Sequence, residues 1–293
     1  NLINKNINLE EPFHNLFTQG MVCHESYKDN KGNWLYPEEI EKISKGKVIK
    51  KSDGSEVIVG PAESMSKSKK NTIDPEKMIQ EYGADSVRWF ILSDSPPEKD
   101  IQWSNTGVVS SNKFLQKIWN LNVAINDRNE KNINLELVKS FETEIETIIY
   151  KIDKSIEEFK FNVSIAHFYE TYNLFNKYLH KDLSNVCLKN SIIKILKLMI
   201  PFVPHLAYEC LELQKCQKPD KWPQIRDNFV ESVKIAVQIN GRTRDIIDTK
   251  TNSTEEELKK IVINQSKAKR FIEGRKIIKT IFVKDRIINY IIK

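Results

Sequence analysis

One short segment of the chain combines residue types that could do chemistry at a phosphate group. Residues 63–71 read ESMSKSKKN, in which Lys67 stands between Ser66 and Ser68. A lysine between small residues, in a loop ahead of a helix, can bring a mobile ammonium group close to phosphate oxygens. An ordinary solvated basic loop is the alternative, and composition alone favours that alternative.

The cysteines offer a second, weaker candidate for chemistry. Cys23, Cys187, Cys210 and Cys216 have no Cys-x-x-Cys spacing, so the sequence predicts neither a zinc site nor a disulfide framework. Cys210 and Cys216 could be imagined as metal ligands together with His205. Buried free thiols in a reducing cytosol are the preferred interpretation.

A capped helix is expected directly after the basic loop. Asp74 is a good N-cap residue, Pro75 suits the first helical position, and Gly83 suits the position beyond the last turn. Asp85 is then expected to cap a second short helix over residues 86–92.

Short strands are expected before the loop. Residues 16–22, LFTQGMV, have the composition of a short buried strand. Residues 47–51 and 56–59 flank a Ser-Asp-Gly turn signal and predict a small hairpin.

The middle of the chain has the period of amphipathic helices. Apolar residues recur at three- and four-residue spacing in four stretches between residues 114 and 206. Four such faces predict a helical bundle in which each helix buries one side. Pro201 and Pro204 are expected to kink the last helix rather than end it.

The last region is predicted to be a small α+β domain with the order ββαββ. Asn240-Gly241 suits a tight hairpin turn, and Ser253 with Glu256 forms a capping box that opens a helix. Strands are expected over residues 233–239, 243–247, 277–283 and 287–292.

Composition narrows the class of protein. Of 293 residues, 40% are hydrophobic and 29% are charged, and the net charge of +6 permits a polyanionic partner without requiring one. No apolar run reaches the roughly 18 residues of a membrane span. The chain starts without an initiator Met and without the apolar core of a secretory signal. We expect a soluble, cytoplasmic protein that makes no membrane contact and is compatible with being a piece of a longer one.

The basic loop and its flank resemble a known signature. The sequence MSKSKKN at 65–71, with Asp-Pro at 74–75 and Tyr-Gly-Ala-Asp at 82–85, is similar to the KMSKS signature region of class I aminoacyl-tRNA synthetases. Further segments resemble the leucyl-tRNA synthetases in particular: TQGMV at 18–22, LSDSPPEKDIQWS at 92–104, PFVPHL at 201–206 and VQINGR at 237–242. These segments follow the order of the family, so the chain resembles about its C-terminal third.

The resemblance implies a multidomain architecture. Residues 1–100 would be the end of a Rossmann-like α/β catalytic domain, with the signature loop at 64–68 and stem-contact helices. Residues 101–225 would be an all-α anticodon-binding helical bundle. Residues 230–293 would be the small C-terminal α+β domain, of order ββαββ, that contacts tRNA.

The resemblance also implies an activity, a leucine–tRNA ligase of class I. The family activates leucine with ATP and magnesium and transfers it to tRNA(Leu), and the parent enzyme is expected to be monomeric. In the signature loop, the family's second lysine contacts the ATP phosphates, and that position is Lys67 here. ATP binding is expected at Ser64, Met65, Ser66, Lys67 and Ser68. Ser64 replaces the family's first signature lysine.

Transfer RNA contacts are expected at five basic residues. Lys69, Lys70 and Arg88 are near the signature loop and the stem-contact helices, where the acceptor stem would pass. Arg242 and Arg244 lie in the domain that meets the outer corner of tRNA in the family. Ordinary surface charge is the alternative for all five residues.

Other signatures of the family are missing from the sequence. The five histidines show no His-x-x-His spacing, so the family's other signature would precede Asn1, together with the leucine pocket and the editing insertion. The fragment alone is therefore predicted to be inactive. Two alternatives stay open: a tRNA-binding module without catalysis, and a sister synthetase for valine, isoleucine or methionine.

Overall fold

The computed structural model describes residues 13, 15–43, 46–129, 132–225, 232–251 and 253–293. Within it the chain divides into two compact units, Asn1–Ile225 and Arg226–Lys293, each described here by itself. The residue at which the predicted last domain begins, 230, lies outside the described residues, as does His14. No helix in the described ranges is both long enough and apolar enough to cross a membrane.

The first unit begins with a small sheet. Its strands are β1 (Val22–Lys28), β2 (Trp34–Leu35), β5 (Ile58–Ser64) and β6 (Ile101–Gln102), while β3 (Ile40–Lys42) and β4 (Val48–Lys50) form a separate two-stranded ribbon. β1 is the centre of the sheet: β2 and β5 pair with it in the antiparallel direction, and β6 pairs with it in parallel. The small hairpin predicted around the 52–54 turn forms: the Val57 N–H donates to the Val48 carbonyl at 3.0 Å, and Ile49 pairs with Glu56 in an antiparallel bridge. Beyond this short pairing, β4 pairs with β3 and β5 pairs with β1.

The predicted strand over residues 16–22 is wrong. The ladder begins only at Val22, and the Leu16 side chain is 88% exposed. The preceding segment instead runs against the 97–100 loop, where the Gly20 N–H donates to the Pro97 carbonyl at 2.8 Å. A Cβ on Gly20 would lie 2.1 Å from the Lys99 carbonyl oxygen, so only glycine permits this approach.

Two helices follow the basic loop. α1 (Pro75–Tyr82) begins where predicted, because Asp74 Oδ1 accepts from the Glu76 N–H at 3.0 Å. α2 spans Ala84–Asp94, so the expectation that Asp85 caps it is wrong. Asp85 lies inside the first turn of α2, and its carboxylate reaches the N-terminus of a helix 120 residues later in the chain.

A helical bundle completes the first unit. Its helices are α3 (Asn105–Asn126), α4 (Leu135–Glu157), α5 (Phe161–Tyr178), α6 (Asn185–Met199) and α7 (Pro204–Leu213). The apolar stripes face one common core, and Trp89 from α2 is fully buried in that core. The prediction that Pro201 and Pro204 kink a single helix is wrong. The chain leaves helical geometry after α6 and restarts at Pro204, the first position of α7.

The second unit is a four-stranded sheet with helices. Its elements are β7 (Ser232–Ile239), β8 (Arg242–Lys250), α8 (Glu255–Gln265), α9 (Lys269–Ile272), β9 (Ile277–Val283) and β10 (Ile287–Ile292). The strand order is β8-β7-β10-β9, with β10 parallel to β7. The element order matches the predicted one apart from the short α9. The capping box is one residue later than predicted: Thr254 and Glu257 form it, and Ser253 bonds back to the Lys250 carbonyl.

Candidate functional site

The basic loop forms a compact turn between β5 and α1. Lys67–Lys69 make one turn of 3-10 helix, and the Ser66 side chain caps it by accepting from the Lys69 N–H at 3.4 Å. The Ser66 and Ser68 hydroxyls lie 2.6 Å apart. Lys70 ends the turn in the left-handed region, with φ of 53°. The small serines therefore shape a tight turn whose middle carries Lys67.

Lys67 is the exposed cation of this turn. Its backbone carbonyl accepts from the Lys70 N–H at 3.3 Å, which fixes the backbone. Its ammonium forms no ion pair with any residue in the described ranges. The group is therefore available to an anion outside the chain.

The two following lysines have partners within the protein. The Lys69 ammonium pairs with the Glu63 carboxylate, and this pairing lowers the pKa of Glu63 below its usual value. The Lys70 ammonium lies 5.0 Å from the centre of the Tyr36 ring, a distance typical of a cation–π contact. The structure thus brings Lys67, Lys69 and Lys70 together on one turn but gives each a different environment.

Ser64 and Met65 connect the turn to the sheet. Ser64 is the last residue of β5, opposite Cys23 of β1, and the Met65 N–H donates to the Val22 carbonyl at 3.3 Å. Met65 also packs in the small core around Phe90, Ile101 and Trp103. This half of the predicted ATP-binding segment is therefore anchored in the fold.

Asn71 is the residue of this site that sequence reasoning missed. Its side chain is fully buried, and its Oδ1 accepts from the Ser66 N–H at 2.8 Å. Its Nδ2 lies 3.2–3.4 Å from the carbonyl oxygens of His24, Glu63 and Ser64. An amide in a run of serines and lysines gives no signal in the sequence. Only its burial in the folded chain indicates a structural role.

Arg88 binds backbone carbonyls of the segment between α6 and α7. Its Nε donates to the Phe202 carbonyl at 2.9 Å and its Nη2 to the Pro201 carbonyl at 2.6 Å. The same α2 presents Asp85, whose Oδ2 accepts from the Leu206 N–H at 2.7 Å. The structure therefore gives Arg88 a role in holding the junction between α6 and α7, and its contact with tRNA stays a prediction.

Arg242 and Arg244 belong to the second unit. Both are exposed on β8, and the Arg244 guanidinium lies 4.6 Å from the centre of the Phe271 ring. Arg270 contacts the same ring at 4.9 Å. Two guanidinium groups around one aromatic ring make a local cationic surface.

The imagined metal site at His205, Cys210 and Cys216 can be tested against the described residues. In the described parts of the chain, no three His, Cys, Asp or Glu side chains lie close enough together to hold one. His205, the imagined ligand, is 77% exposed and lies 3.0 Å from Asp85, whereas Cys210 is buried in the bundle core. Burial raises the pKa of the Cys210 thiol to about 12, which disfavours the thiolate that metals bind.

Family models match two parts of the chain. Residues 56–104 match the family described as tRNA synthetases class I (I, L, M and V). Residues 138–262 match the family described as anticodon-binding domain of tRNA ligase. The first match contains the whole basic loop, and the second extends from the bundle into α8.

Curated relatives cover the chain almost from end to end. A leucine–tRNA ligase of Rickettsia bellii is 39% identical over 97% of this chain, and one of Zymomonas mobilis is 34% identical over 97%. The chain is similar to both leucine–tRNA ligases over nearly its whole length. It spans 34% and 33% of the length of these two leucyl-tRNA synthetases.

A solved leucyl-tRNA synthetase has the same fold over this region. The enzyme of Agrobacterium radiobacter K84, described in a ternary complex with tRNA and LeuAMS, superposes with a TM-score of 0.64 at 24% sequence identity. The match covers 97% of this chain and 33% of that chain. The chain thus contains a class I synthetase match and an anticodon-binding match, as predicted, and the bounds of the three predicted domains stay predictions.

Proposed function

We propose that this chain is the C-terminal part of a leucine–tRNA ligase that activates leucine with ATP and transfers it to tRNA(Leu). The observation that carries the proposal is the end-to-end similarity to leucine–tRNA ligases, combined with an exposed, unpaired Lys67 on the matching loop. The parent enzyme is further proposed to be cytoplasmic and monomeric.

Lys67 is proposed as the catalytic residue of this chain. Adenylate formation moves negative charge onto the departing pyrophosphate, and a cation held at that position stabilises the transition state more than the ground state. Ser66 and Ser68 keep the turn small, so that its backbone can approach the nucleotide. Ser64, Met65 and Ser68 complete the proposed ATP-binding segment.

Lys67 acts without the family's first signature lysine. Ser64 occupies that position, and its backbone carbonyl is already bonded to Asn71. Lys69 is neutralised by Glu63, so it contributes little field at the phosphates. The proposal therefore assigns most of the loop's effect on the phosphates to one ammonium group.

Magnesium is proposed to arrive with ATP. Mg²⁺ in such sites is bound largely by substrate phosphates and water, with one or two carboxylates. Among the described residues, no three His, Cys, Asp or Glu side chains cluster closely enough to hold a metal ion by themselves. This chain's own contribution to the phosphates is accordingly Lys67 and the turn that carries it.

Transfer RNA binding is proposed to rest mainly on the second unit. Residues 226–293 contain 16 Lys and Arg against nine Asp and Glu, whereas residues 1–225 contain 30 against 31. All of the excess positive charge therefore lies in the C-terminal unit, which includes Arg242 and Arg244. Phosphate contacts by such residues supply most of the affinity in non-specific nucleic-acid binding. Lys69, Lys70 and Arg88 are proposed as additional contacts.

The Lys67→Ala variant tests the catalytic proposal. In the full-length protein that carries this chain, leucine-dependent ATP–pyrophosphate exchange should fall about 10²–10³-fold in kcat, because one transition-state charge contact is lost. Leucine binding, measured by calorimetry, should stay unchanged. Lys51→Ala, at an exposed lysine in the turn after β4, is the matched control and should keep full activity. Equal losses of exchange and leucine binding would point to a misfolded loop and contradict the assignment.

The isolated chain provides a second test. The 293 residues contain no His-x-x-His spacing, so the chain alone is expected to form no leucyl-adenylate. Pyrophosphate exchange assayed on the purified chain, with a full-length leucine–tRNA ligase as positive control, should stay at background. Leucine-dependent exchange by the chain alone would overturn this expectation.

A further inference from the structure

We propose that Asn71 is a positioning residue that holds the signature loop in the shape that presents Lys67. The inference rests on the proposed function only in naming Lys67 as the group that is positioned. Its physical content, that one buried amide locks the turn, stands on the structure of the chain itself.

The Asn71 amide closes the turn onto its own base. Ser66 precedes Lys67 and Asn71 follows it by four residues, and the Ser66 N–H to Asn71 Oδ1 bond joins the two ends of the turn. The segment between them contains Lys67–Lys69 in 3-10 geometry and Lys70 in the left-handed region. Lys67 therefore lies in a short turn whose two ends, Ser66 and Asn71, are joined by the Asn71 side chain.

The same amide also binds the turn to the sheet. Its Nδ2 faces the carbonyl oxygens of His24 on β1 and of Glu63 and Ser64 on β5. His24 and Glu63 are partners across the antiparallel ladder between these strands. The amide thus donates to carbonyl groups of both strands at the end of the ladder, where the loop begins.

Asparagine is the side chain that fits this environment. The site requires an acceptor on one side and an NH₂ group on the other, and the side chain is fully buried. Aspartate has the same shape, but it would turn a carboxylate oxygen toward three carbonyl oxygens. An unpaired polar group at such a depth is costly, so the loop is expected to move when the donor is lost.

Limited proteolysis of the 293-residue chain tests the lock directly. Asn71→Asp should speed trypsin cleavage after Lys67 about tenfold or more, because local opening governs cleavage of a folded protein. The matched control is Asn122→Asp. Asn122 is equally buried in the bundle, where its Nδ2 donates to the Cys210 carbonyl. That variant should leave cleavage in the loop unchanged, and equal acceleration by the two variants would overturn the proposal.

A measurement on the unaltered chain covers the case in which Asn71→Asp does not fold. The Ser66 amide donates to the buried Asn71 Oδ1, whereas the Lys67 and Ser68 amides are part of an exposed turn. Hydrogen exchange followed by NMR should show the Ser66 amide protected about 10²-fold relative to these two. Equal exchange of all three amides would contradict a locked turn.

A double-mutant cycle in the full-length enzyme tests whether Asn71 acts through Lys67. Asn71→Asp should lower kcat for pyrophosphate exchange about 10²-fold with an unchanged KM for leucine, since misplacing a catalytic group costs this much. In the Lys67→Ala background the same change should cost less than about threefold. The same factor in both backgrounds would refute positioning. If the unaltered enzyme shows no leucine-dependent exchange, the proposed function fails. Proteolysis and hydrogen exchange still test whether Asn71 holds the turn in place.

Discussion

At the scale of single residues, the signature loop separates three lysines that look equivalent in the sequence. Lys69 is paired with Glu63, Lys70 lies on Tyr36, and Lys67 points outward without a charged partner in the described chain. The difference comes from residues on β5 and after β2 that the turn meets only in the folded chain. A positive charge intended for a substrate is useful only if the protein does not neutralise it.

The ion pair between Glu63 and Lys69 predicts a pH dependence. Because pairing lowers the folded-state pKa of Glu63 below its ordinary value of 4.5, the pair stabilises the fold above about pH 4.5. The contribution disappears as pH falls through the lower folded-state pKa. We expect Glu63→Gln to lower the melting temperature slightly at pH 7, since such exposed pairs contribute little. The difference from the unaltered chain should shrink as pH falls below 4.5 and vanish below the lowered folded-state pKa of Glu63, as measured by calorimetry. A difference that persists there would assign the effect to something other than the charge.

At the scale of elements, α2 links the loop region to the bundle. Its first turn carries Asp85 and Arg88, which bond to the N-terminus of α7 and to the carbonyls that follow α6. On its other side, Phe90 lies against Gly107 of α3, where a Cβ would come within 2.5 Å of the Phe90 ring. α2 is therefore fixed by charged hydrogen bonds on one face and by close packing on another.

The contacts of α2 predict a loss of stability. Asp85→Ala removes the cap of the Leu206 N–H and the partner of His205, so it should cost about 1–3 kcal/mol of unfolding free energy. Arg88→Ala should cost a similar amount, because two hydrogen bonds from a charged donor to backbone carbonyls are lost. Urea unfolding of the 293-residue chain measures both changes. Glu98→Ala, at an exposed loop carboxylate, serves as control. If Asp85→Ala lowers the free energy of unfolding no more than Glu98→Ala does, the cap contributes no measurable stability.

At the scale of the whole molecule, charge is divided unevenly along the chain. The excess of basic residues lies entirely in residues 226–293, while the first unit is close to neutral. The overall value of +6 hides this division. A nearly neutral unit that exposes Lys67 on its basic loop suits a substrate site, and a basic unit suits the backbone of a nucleic acid.

This division predicts how tRNA binding depends on salt. The logarithm of the binding constant should fall linearly with the logarithm of salt concentration, because phosphate contacts release counterions. Arg242→Gln should weaken binding and reduce the slope by about one, as expected when one phosphate contact is lost. Fluorescence anisotropy with labelled tRNA at several KCl concentrations measures both quantities. Lys51→Gln, in the first unit, should change neither. Unchanged affinity and slope for Arg242→Gln would exclude that residue from the contact.

Sequence reasoning succeeded where the determining contacts are local. Asp74 and Pro75 specify the start of α1 through bonds within a few residues, and the Asn240-Gly241 turn specifies its hairpin in the same way. The capping box was displaced by one residue because Ser253 and Thr254 are both hydroxyl residues three positions before a glutamate. Local rules do not separate such neighbours.

Sequence reasoning failed where the partner is distant in the chain. Asp85 resembles an N-cap in sequence, yet it caps α7 rather than α2. Asn71 lies in the signature segment, but its sequence position predicts no role, because its four hydrogen bonds depend on two strands and a turn that meet only after folding. Lys67 was identified by resemblance, and the structure adds that its charge is unpaired among the described residues.

The break between α6 and α7 has a consequence for how the bundle is aligned with α2. A continuous helix would satisfy its own carbonyl and N–H groups and would present only apolar side chains, along which a neighbouring helix can slide. The prolines free the carbonyls of Pro201 and Phe202 and the N–H of Leu206, and Arg88 and Asp85 bind these groups at fixed points. The break between α6 and α7 thus fixes the position of α2 along the bundle, because its free backbone groups bind Arg88 and Asp85 at set points.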